Sequence, residues 1–586
     1  MTKDPSLLAE QWITSDPDEK TRAELTALLD KAKSGDEAAA RELADRFAGP
    51  LEFGTAGLRG VLGGGENRMN IAVVLRTTWG LGTYLLRHPE ARVKERGVVI
   101  GYEGRRMSRE FAEAAARVLA AQGIQSWLSP IVCPTPVASY AVSRLKAAAG
   151  IMVTASHNPP EYNGYKVYWG NGAQIIPPHD KGIAAAIAEA PAAKDVPLAA
   201  FDAARSSGLV KDFPPDLEES YLAAVQALSV RRDGDRGAPI VYTPLHGVGD
   251  RLVRETLGRA GFTKVSSVPA QAEPDGEFPT VAFPNPEEKG ALDLSLELAD
   301  KVGADVIIAN DPDVDRLAAA IRVPGKGFVQ LTGNQVGVLL GHYLLTEGPQ
   351  SPNRLVLASC VSSPQLGTIA AALGVAYEET LTGFKWIANR AMELEASENK
   401  SFVFGYEEAL GYTVGPLVRD KDGISAALLF AELWAARRAE GQSMFDELEK
   451  IARRFGYFAS GQLSVTMKGQ DGLARIRGVM TKLRATKLDR VGPLAVEATS
   501  DVAAGTKVDK AGAVSKLTLP PSDVLMYALT GGSRIIARPS GTEPKIKIYF
   551  DVCEPMREGE PLADAEQRAN TTLEALKEDF ATIAGL

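Results

Sequence analysis

Val306-Ile307-Ile308-Ala309-Asn310-Asp311-Pro312-Asp313-Val314-Asp315-Arg316 is an apolar run that ends abruptly in carboxylates. The Val- and Ile-rich half reads as a buried strand, and an unusual polar loop at its carboxyl end suits an open α/β sheet, where ligands gather at those ends. Three Asp side chains at alternate positions repel one another unless a cation neutralises them. Hard oxygen donors with no His or Cys among them favour Mg²⁺. A calcium loop is excluded: counting from Asp311, the sixth and twelfth positions are Arg316 and Arg322, where such a loop needs Gly and Glu. A solvated acidic turn is the competing reading. Arg316, next to the carboxylates, suits an anion bound beside a metal.

Outward from this stretch, Val98–Gly101, Ile151–Thr154, Ile240–Thr243, Leu355–Ser359 and Phe402–Phe404 are similar short runs alternating with helical patterns, which predicts α/β layers. After the first, Ser108 is placed to cap a helix through Phe111, Ala115, Val118 and Leu119 that stops near Gly123. Near the N-terminus, Asp16, Pro17 and Glu19 precede a stripe of Leu25, Leu28 and Leu29, predicting a capped helix packed as an appendage. Pro- and Gly-rich stretches at 210–215, 323–327 and 454–461 are candidate boundaries. Beyond these, strands over Arg534–Ala537 and Ile546–Val552 and helices over Asp471–Leu483 and Asp564–Ile583 predict an α+β module. The expected organisation is a helical extension over 1–45, three α/β domains over 46–210, 211–325 and 326–455, and a smaller α+β domain over 456–586.

The 586 residues exceed what one core can serve; at about 150 residues per domain they suggest roughly four. Hydrophobic residues make up 45% and charged residues 24%, ordinary globular usage, and Glu432 interrupts the longest apolar stretch, Ile424–Ala436, so no membrane partner is expected. The 65 basic and 74 acidic residues leave a net charge of −9, a poor field for polyanions, so nucleic acid is not an expected partner. A small phosphorylated ligand can still be held where Arg and Lys are concentrated. Cys133, Cys360 and Cys553 lack metal or disulfide spacing, and the charged first residues lack the apolar run of a secretion signal, so a reduced, cytoplasmic protein is expected.

Thr154-Ala155-Ser156-His157-Asn158-Pro159-Pro160 follows a buried-looking strand and precedes Asn163-Gly164-Tyr165-Lys166. Ser156 can act as a nucleophile or carry phosphate; by themselves, Ser and Asn before Pro also form ordinary turns. Arg538-Pro539-Ser540-Gly541-Thr542-Glu543-Pro544-Lys545 lies between two strands and combines a forked cation, hydroxyls and a glycine that lets backbone amides approach an anion, although a hairpin turn fits equally. The Walker A spacing is absent. Glu407, in Gly405-Tyr406-Glu407-Glu408-Ala409-Leu410-Gly411, can accept hydrogen bonds from sugar hydroxyls or mark a helix N-terminus. Gly54-Thr55-Ala56-Gly57-Leu58-Arg59-Gly60 is either a flexible turn or a loop aiming Arg59 at an anion.

Together, and in this order, these motifs resemble the α-D-phosphohexomutase superfamily over roughly residues 50–550. The resemblance implies three related three-layer α/β/α domains and a smaller C-terminal α+β (TBP-like) domain around a central cleft. It implies that Ser156 is the phosphorylated serine, that Asp311, Asp313 and Asp315 hold Mg²⁺ with an oxygen of the Ser156 phosphate, and that His157 and Lys166 stand around that phosphate. Arg59 and Arg316 would bind substrate. Thr382 and Gly383, in Thr382-Gly383-Phe384-Lys385, would govern sugar orientation; Glu407 would grip sugar hydroxyls; Arg538, Ser540, Gly541 and Thr542, with Lys545 nearby, would clasp the phosphate that is not reacting. Lys421, in Arg419-Asp420-Lys421-Asp422-Gly423, resembles the lysine proposed as general acid/base in phosphoglucomutases; a charged surface turn is its other reading.

Two departures stand out. Ala409 replaces the Ser of many members, and the loop lacks the His of many bacterial phosphomannomutases. Both look like the phosphoglucomutase and phosphopentomutase subgroup with a Trp-Asp-Pro style extension, here Trp12 with Asp16-Pro17. Glu103, in Gly101–Arg105, also stands where the family usually has Asp. The implied activity is phosphoglucomutase, interconverting glucose 1-phosphate and glucose 6-phosphate through a phosphoserine, with a sugar 1,6-bisphosphate as intermediate and activator. Phosphopentomutase, phosphomannomutase and glucose 1,6-bisphosphate synthase are alternatives within the family. A non-catalytic phosphosugar-binding protein and a metal-dependent phosphatase lie outside it.

Overall fold

The computed structural model describes residues 4–53, 57–467, 471–540 and 545–586. The chain forms two compact units, Met1–Leu331 with Gly411–Ala435, and Thr332–Leu410 with Ala436–Leu586. In the first unit, strands β1 (Gly57–Val61), β2 (Val98–Tyr102), β3 (Ser126–Leu128), β4 (Ala149–Val153), β5 (Tyr162–Trp169) and β6 (Val210–Asp212) build a sheet in the order β1-β5-β4-β2-β3-β6. β4, β2, β3 and β6 are parallel, while β5 turns back antiparallel to β4 and β1 antiparallel to β5.

Alternation along the strands divides the burial. Val98, Ile100, Ile151 and Val153 pack with Val74, Leu81, Phe111 and Val118 of the helices Ile71–Arg87 and Ser108–Ala121. Val99 and Met152 point the other way, against Ala138, Ala141 and Val142 of the helix Thr135–Arg144. Helices on both faces explain why β2 and β4 are buried throughout.

The second sheet, β11-β10-β9-β7-β8, comprises β7 (Ile240–Thr243), β8 (Val265–Ser267), β9 (Val306–Ala309), β10 (Ala318–Val323) and β11 (Gly327–Gln330). The carboxylate-bearing stretch 310–316 is the loop that follows β9.

In the second unit, β12 (Arg354–Ser359) lies between β13 (Ala376–Thr380) and β14 (Ser401–Glu407), all parallel, with the helix Phe384–Glu398 on one face. β15 (Gly411–Val414) belongs to the first unit. The C-terminal strands are β16 (Tyr457–Thr466), β17 (Arg490–Val491), β18 (Leu494–Asp501), β19 (Thr506–Asp509), β20 (Val514–Lys516), β21 (Leu525–Leu529), β22 (Arg534–Pro539) and β23 (Lys545–Glu554). They form one antiparallel sheet, with the helices Gly472–Ala485 and Leu562–Ala584 packed on it through Met480, Leu573, Leu576 and Phe580. The fold is therefore three α/β/α domains followed by a C-terminal α+β domain.

Two predicted helix starts are corrected. A helix Pro5–Ser15 precedes the expected one, which begins at Glu19 and is capped by Asp18 rather than by Asp16 with Pro17. Asp16 is buried instead and braces the turn, accepting from Trp12 Nε1 at 3.2 Å and Thr21 Oγ1 at 2.7 Å. Ser108 is the first residue of its helix and not the cap; Met107 precedes it, and the Ser108 hydroxyl accepts from Asn163 Nδ2 at 3.0 Å.

Glu432, the charge that interrupted the apolar stretch, is fully buried in the helix Gly423–Ala439. Its carboxylate accepts from the N–H groups of Val230 at 2.7 Å and Arg231 at 2.9 Å, from Ser229 Oγ, and from Arg236 at 3.3 Å. Glu432→Ala strands those donors, and the expected loss is about 3 kcal/mol in the unfolding transition of the first unit. Urea titration followed by circular dichroism checks it; a change below about 0.5 kcal/mol contradicts this role.

Candidate functional site

β2 and β4 run parallel with Tyr102 beside Val153, so the residues after them, Glu103 and Thr154, emerge together. Thr154 Oγ1 donates to Glu103 Oε1 at 2.7 Å and accepts from Ser156 N at 2.8 Å. Arg105, whose side chain is 0% exposed, donates through Nε to Glu103 at 2.8 Å. Its other nitrogens reach the carbonyls of Ser156 at 2.6 Å, Pro159 at 2.7 Å and Tyr162 at 3.1 Å. One rigid guanidinium thus gathers the loop's backbone around itself and holds Ser156 at φ +53°. That left-handed conformation costs about 1–3 kcal/mol and persists only where the surroundings enforce it. Burial pushes the Glu103 carboxyl upward, opposed by Arg105. The longer side chain at this family departure still makes its contacts.

The loop after β9 is fastened from other segments. Thr135, which opens its helix, donates its N–H to Asp313 O at 2.9 Å and its hydroxyl to Asp313 Oδ2 at 2.7 Å. Asn310 accepts from Tyr242 OH at 2.9 Å and donates to Arg316 O. Gly423 N donates to Val314 O at 3.0 Å, and a Cβ at 423 would lie 2.4 Å from Arg316 O, so only glycine permits this approach. Val314 takes φ +62°, a costly conformation for a β-branched residue.

These two loops meet. Ser156 Oγ donates to Asp311 Oδ2 at 2.8 Å and lies 3.2 Å from His157 Nδ1. Asp311, Asp313 and Asp315 are buried, and one oxygen from each falls within 4.8 Å of the others. Lys166, from β5, reaches Asp313 Oδ2 at 2.8 Å and Asp315 Oδ2 at 3.1 Å. Lys421 lies 3.1 Å from Asp315 Oδ2 and 3.3 Å from Asp420 Oδ1. Arg316 donates its N–H to Asp311 Oδ1 at 3.0 Å, and its Nε is 3.7 Å from Asp311 Oδ2. Arg59 sits on β1, not in a flexible turn, with Nη1 at 3.3 Å from Asn158 Oδ1. The surface-turn reading of Lys421 and the solvated-turn reading of the Asp loop are both overturned by burial and these contacts.

A divalent cation fits here. Asp313 Oδ1 and Asp315 Oδ1 are buried without a hydrogen-bond partner, and the donor set is carboxylate oxygen alone. Burial and the charges of Asp313 and Asp315 push the Asp311 carboxyl well up. Burial acts to raise Asp315 too, but Lys166, Lys421 and Arg316 outweigh it and hold Asp315 down. Burial acts to lower Lys166, and Asp313 and Asp315 overcome it and raise it.

In the second unit, Glu407 ends β14, and no helix follows it, so the helix-terminus reading falls. Glu407 Oε1 accepts from Gly383 N at 2.7 Å, and Gly383 has φ +114°, in the turn after β13 that also contains Thr382. Arg538 is near the end of β22, opposite Lys547 of β23, and Ser540 N donates to Lys545 O at 2.7 Å. Gly541 and Thr542 lie outside the described residues, as do residues 54–56 of the Arg59 motif.

Sequence reasoning missed Thr135 and Arg105. Arg105 stands three residues past the carboxyl end of β2, so the rule that singled out Ser156 and the Asp loop also covers it, whereas Thr135 opens the helix that follows β3 and carries no such signal.

Residues 50–194, 219–325 and 332–455 match "Phosphoglucomutase/phosphomannomutase, alpha/beta/alpha" domains I, II and III, and residues 484–569 match "Phosphoglucomutase/phosphomannomutase, C-terminal domain". The chain belongs to the phosphoglucomutase/phosphomannomutase family of intramolecular phosphotransferases, within the α-D-phosphohexomutase superfamily. A phosphopentomutase of Pongo abelii is 38% identical, covering 97% of this chain and 95% of that protein. A phosphoglucomutase of Staphylococcus epidermidis is 38% identical over 86% of this chain and 90% of its own. The crystal structure of the open form of parafusin, a phosphoglucomutase from Paramecium, shares the fold with a TM-score of 0.65 at 20% identity, covering 92% of this chain and 96% of that one. No helix among the described residues is long and apolar enough to cross a membrane.

Burial, then the charges of Arg316 and Arg59, holds the His157 imidazole well below its ordinary range. The unfolded chain therefore takes up this proton first, at about pH 6.5, so this group's contribution to stability is present above that pH and falls below it. The expected NMR result is a His157 ring signal that stays flat from about pH 8 to about pH 6; an inflection near 6.5 contradicts the neutral ring.

Proposed function

We propose that the protein is a phosphoglucomutase that interconverts glucose 1-phosphate and glucose 6-phosphate by way of a phosphoryl group carried on Ser156. The observation that carries this reading is the 2.8 Å contact of Ser156 Oγ with one of three buried carboxylates. Mg²⁺ held by Asp311, Asp313, Asp315 and a phosphate oxygen on Ser156 would offset the negative charge that phosphoryl transfer must handle.

The chain's own groups then divide the work. The phosphorus–oxygen bond to Ser156 breaks as a bond forms to a free hydroxyl of the sugar monophosphate; Lys421, entering this step as the neutral amine, takes that hydroxyl's proton, and the departing Ser156 oxygen takes up a proton from solvent. The product is a sugar 1,6-bisphosphate, which also serves as activator by recharging Ser156. With the sugar reversed, the opposite phosphate returns to Ser156 Oγ, whose proton leaves to solvent, and Lys421 gives its own proton to the departing sugar oxygen. Arg105 keeps Ser156 in its left-handed pose, so no reorganisation precedes transfer. His157, neutral and 3.2 Å from Oγ, orients that oxygen without adding charge. Lys166, Arg59 and Arg316 hold phosphoryl oxygens, Thr382, Gly383 and Glu407 the sugar, and Arg538, Ser540, Gly541, Thr542 and Lys545 the distal phosphate. A cytoplasmic location accords with the chemistry of such metabolites.

A second reading is phosphopentomutase, favoured by the full-length similarity to a protein of that name. Exchanging one sugar ring for another in a shared site shifts selectivity by modest factors, so both sugars need assay.

Purified protein with Mg²⁺ and glucose 1,6-bisphosphate is expected to convert glucose 1-phosphate to glucose 6-phosphate, with kcat/KM above that for ribose 1-phosphate; the reverse ranking makes it a phosphopentomutase. Ser156→Ala is expected to lower kcat by at least about 10³-fold, and appreciable residual isomerisation removes the serine from its role. Chelation of the divalent ion is expected to stop turnover, with Mg²⁺ restoring it.

A further inference from the structure

We propose that Arg534 is a positioning residue that locks the sugar-gripping loop to the strand carrying the distal-phosphate cation Arg538. This rests on the substrate roles proposed for Glu407 and Arg538. Arg534 opens β22 and touches no reacting group; its side chain is 11% exposed. Its guanidinium spans three acceptors: Nε to Asp551 Oδ2 at 2.9 Å, Nη1 to Glu379 Oε1 at 2.6 Å, and Nη2 to the Ser362 carbonyl.

From Ser362 the connection runs to the sugar loop. Ser362 Oγ accepts from Glu408 N at 3.0 Å and lies 3.2 Å from Glu408 Oε2, which Ser359 Oγ approaches at the same distance. Glu408 adjoins Glu407 in the chain. In the other direction, Arg534 and Arg538 share β22, so fixing one end of that short strand fixes the other within about 13 Å of rigid backbone.

A second limb closes the circuit. Asp551 Oδ1 accepts from Ser460 Oγ at 2.6 Å, and Ser460 Oγ accepts from Asn334 Nδ2 at 3.1 Å. Asn334 Oδ1 accepts from Ser363 N at 2.8 Å, and the Ser363 carbonyl accepts from Tyr406 OH at 3.0 Å, immediately before Glu407. Glu407 is thereby referenced to Arg538 by two routes that share Arg534. A planar fork can serve three acceptors in fixed directions, whereas an ammonium keeps the charge without that geometry. The mutase reading needs such a lock: the same carboxylate and the same cations must receive a sugar phosphate in either orientation.

Steady-state kinetics of Arg534→Lys tests this. The expected result is KM for the sugar 1-phosphate raised about tenfold with kcat altered less than about threefold, the pattern of lost ground-state and transition-state binding together. Hydrolysis of the Ser156 phosphoenzyme by water, which needs only groups of the first unit, is expected to be unchanged. If Arg534→Lys does not fold, Glu379→Gln removes one arm of the fork and is expected to raise KM in the same direction. An unchanged KM in the folded variant overturns the proposal, as does a parallel fall in KM-independent phosphoenzyme hydrolysis. Wild-type protein inert towards sugar phosphates overturns the mutase reading and this inference together, whereas an active wild type with an indifferent variant overturns this inference alone.

Discussion

Three carboxylates buried within 4.8 Å of one another are the constraint around which the first unit is organised. Each buried carboxylate costs several kcal/mol unless compensated, and mutual repulsion adds to that. The compensation comes from three separate places in the sequence: Lys166 on β5, Arg316 in the same loop, and Lys421 beyond β15. The need for Lys421 and for the close approach of Gly423 accounts for the presence of Gly411–Ala435 in the first unit, although the residues on either side belong to the second.

Charge compensation alone does not place a serine hydroxyl 2.8 Å from Asp311. That placement depends on strand register: Tyr102 beside Val153 sets Glu103 and Arg105 under the Ser156 loop, and Thr135 clamps Asp313 from the start of its helix. Ser156 and Val314, one in each loop, both adopt left-handed backbone angles. Strain of this kind, held by buried hydrogen bonds, is the cost of a site already shaped before any ligand arrives.

Much of this was legible in the sequence because it follows from local rules. β7 and β9 are apolar runs whose bounds are the expected ones, the Asp loop and the Ser loop lie at strand ends, where polar residues have no place in a core, and Arg538 lies near the end of β22. Contacts between distant segments were not legible: nothing local says that Thr135 meets Asp313 or that Lys166 bridges two carboxylates. Caps were misread for a related reason. Asp16 and Ser108 have the right chemistry, but other partners claim their side chains: Trp12 and Thr21, close by in the chain, hold Asp16, and the distant Asn163 holds Ser108. Sugar preference lies deeper still, since the Ala409 departure and the missing His remove contacts without saying which ring the remaining ones suit.

The central proposal is that Ser156 Oγ carries the phosphoryl group between the two ends of the sugar. Phosphopeptide mapping by mass spectrometry after rapid mixing with glucose 1,6-bisphosphate tests it most directly. The predicted result is a single phosphate on the peptide containing Ser156, removed when glucose 6-phosphate is added and recovered as bisphosphate. Phosphate on another residue, or isomerisation that proceeds with Ser156 unmodified throughout, would contradict it.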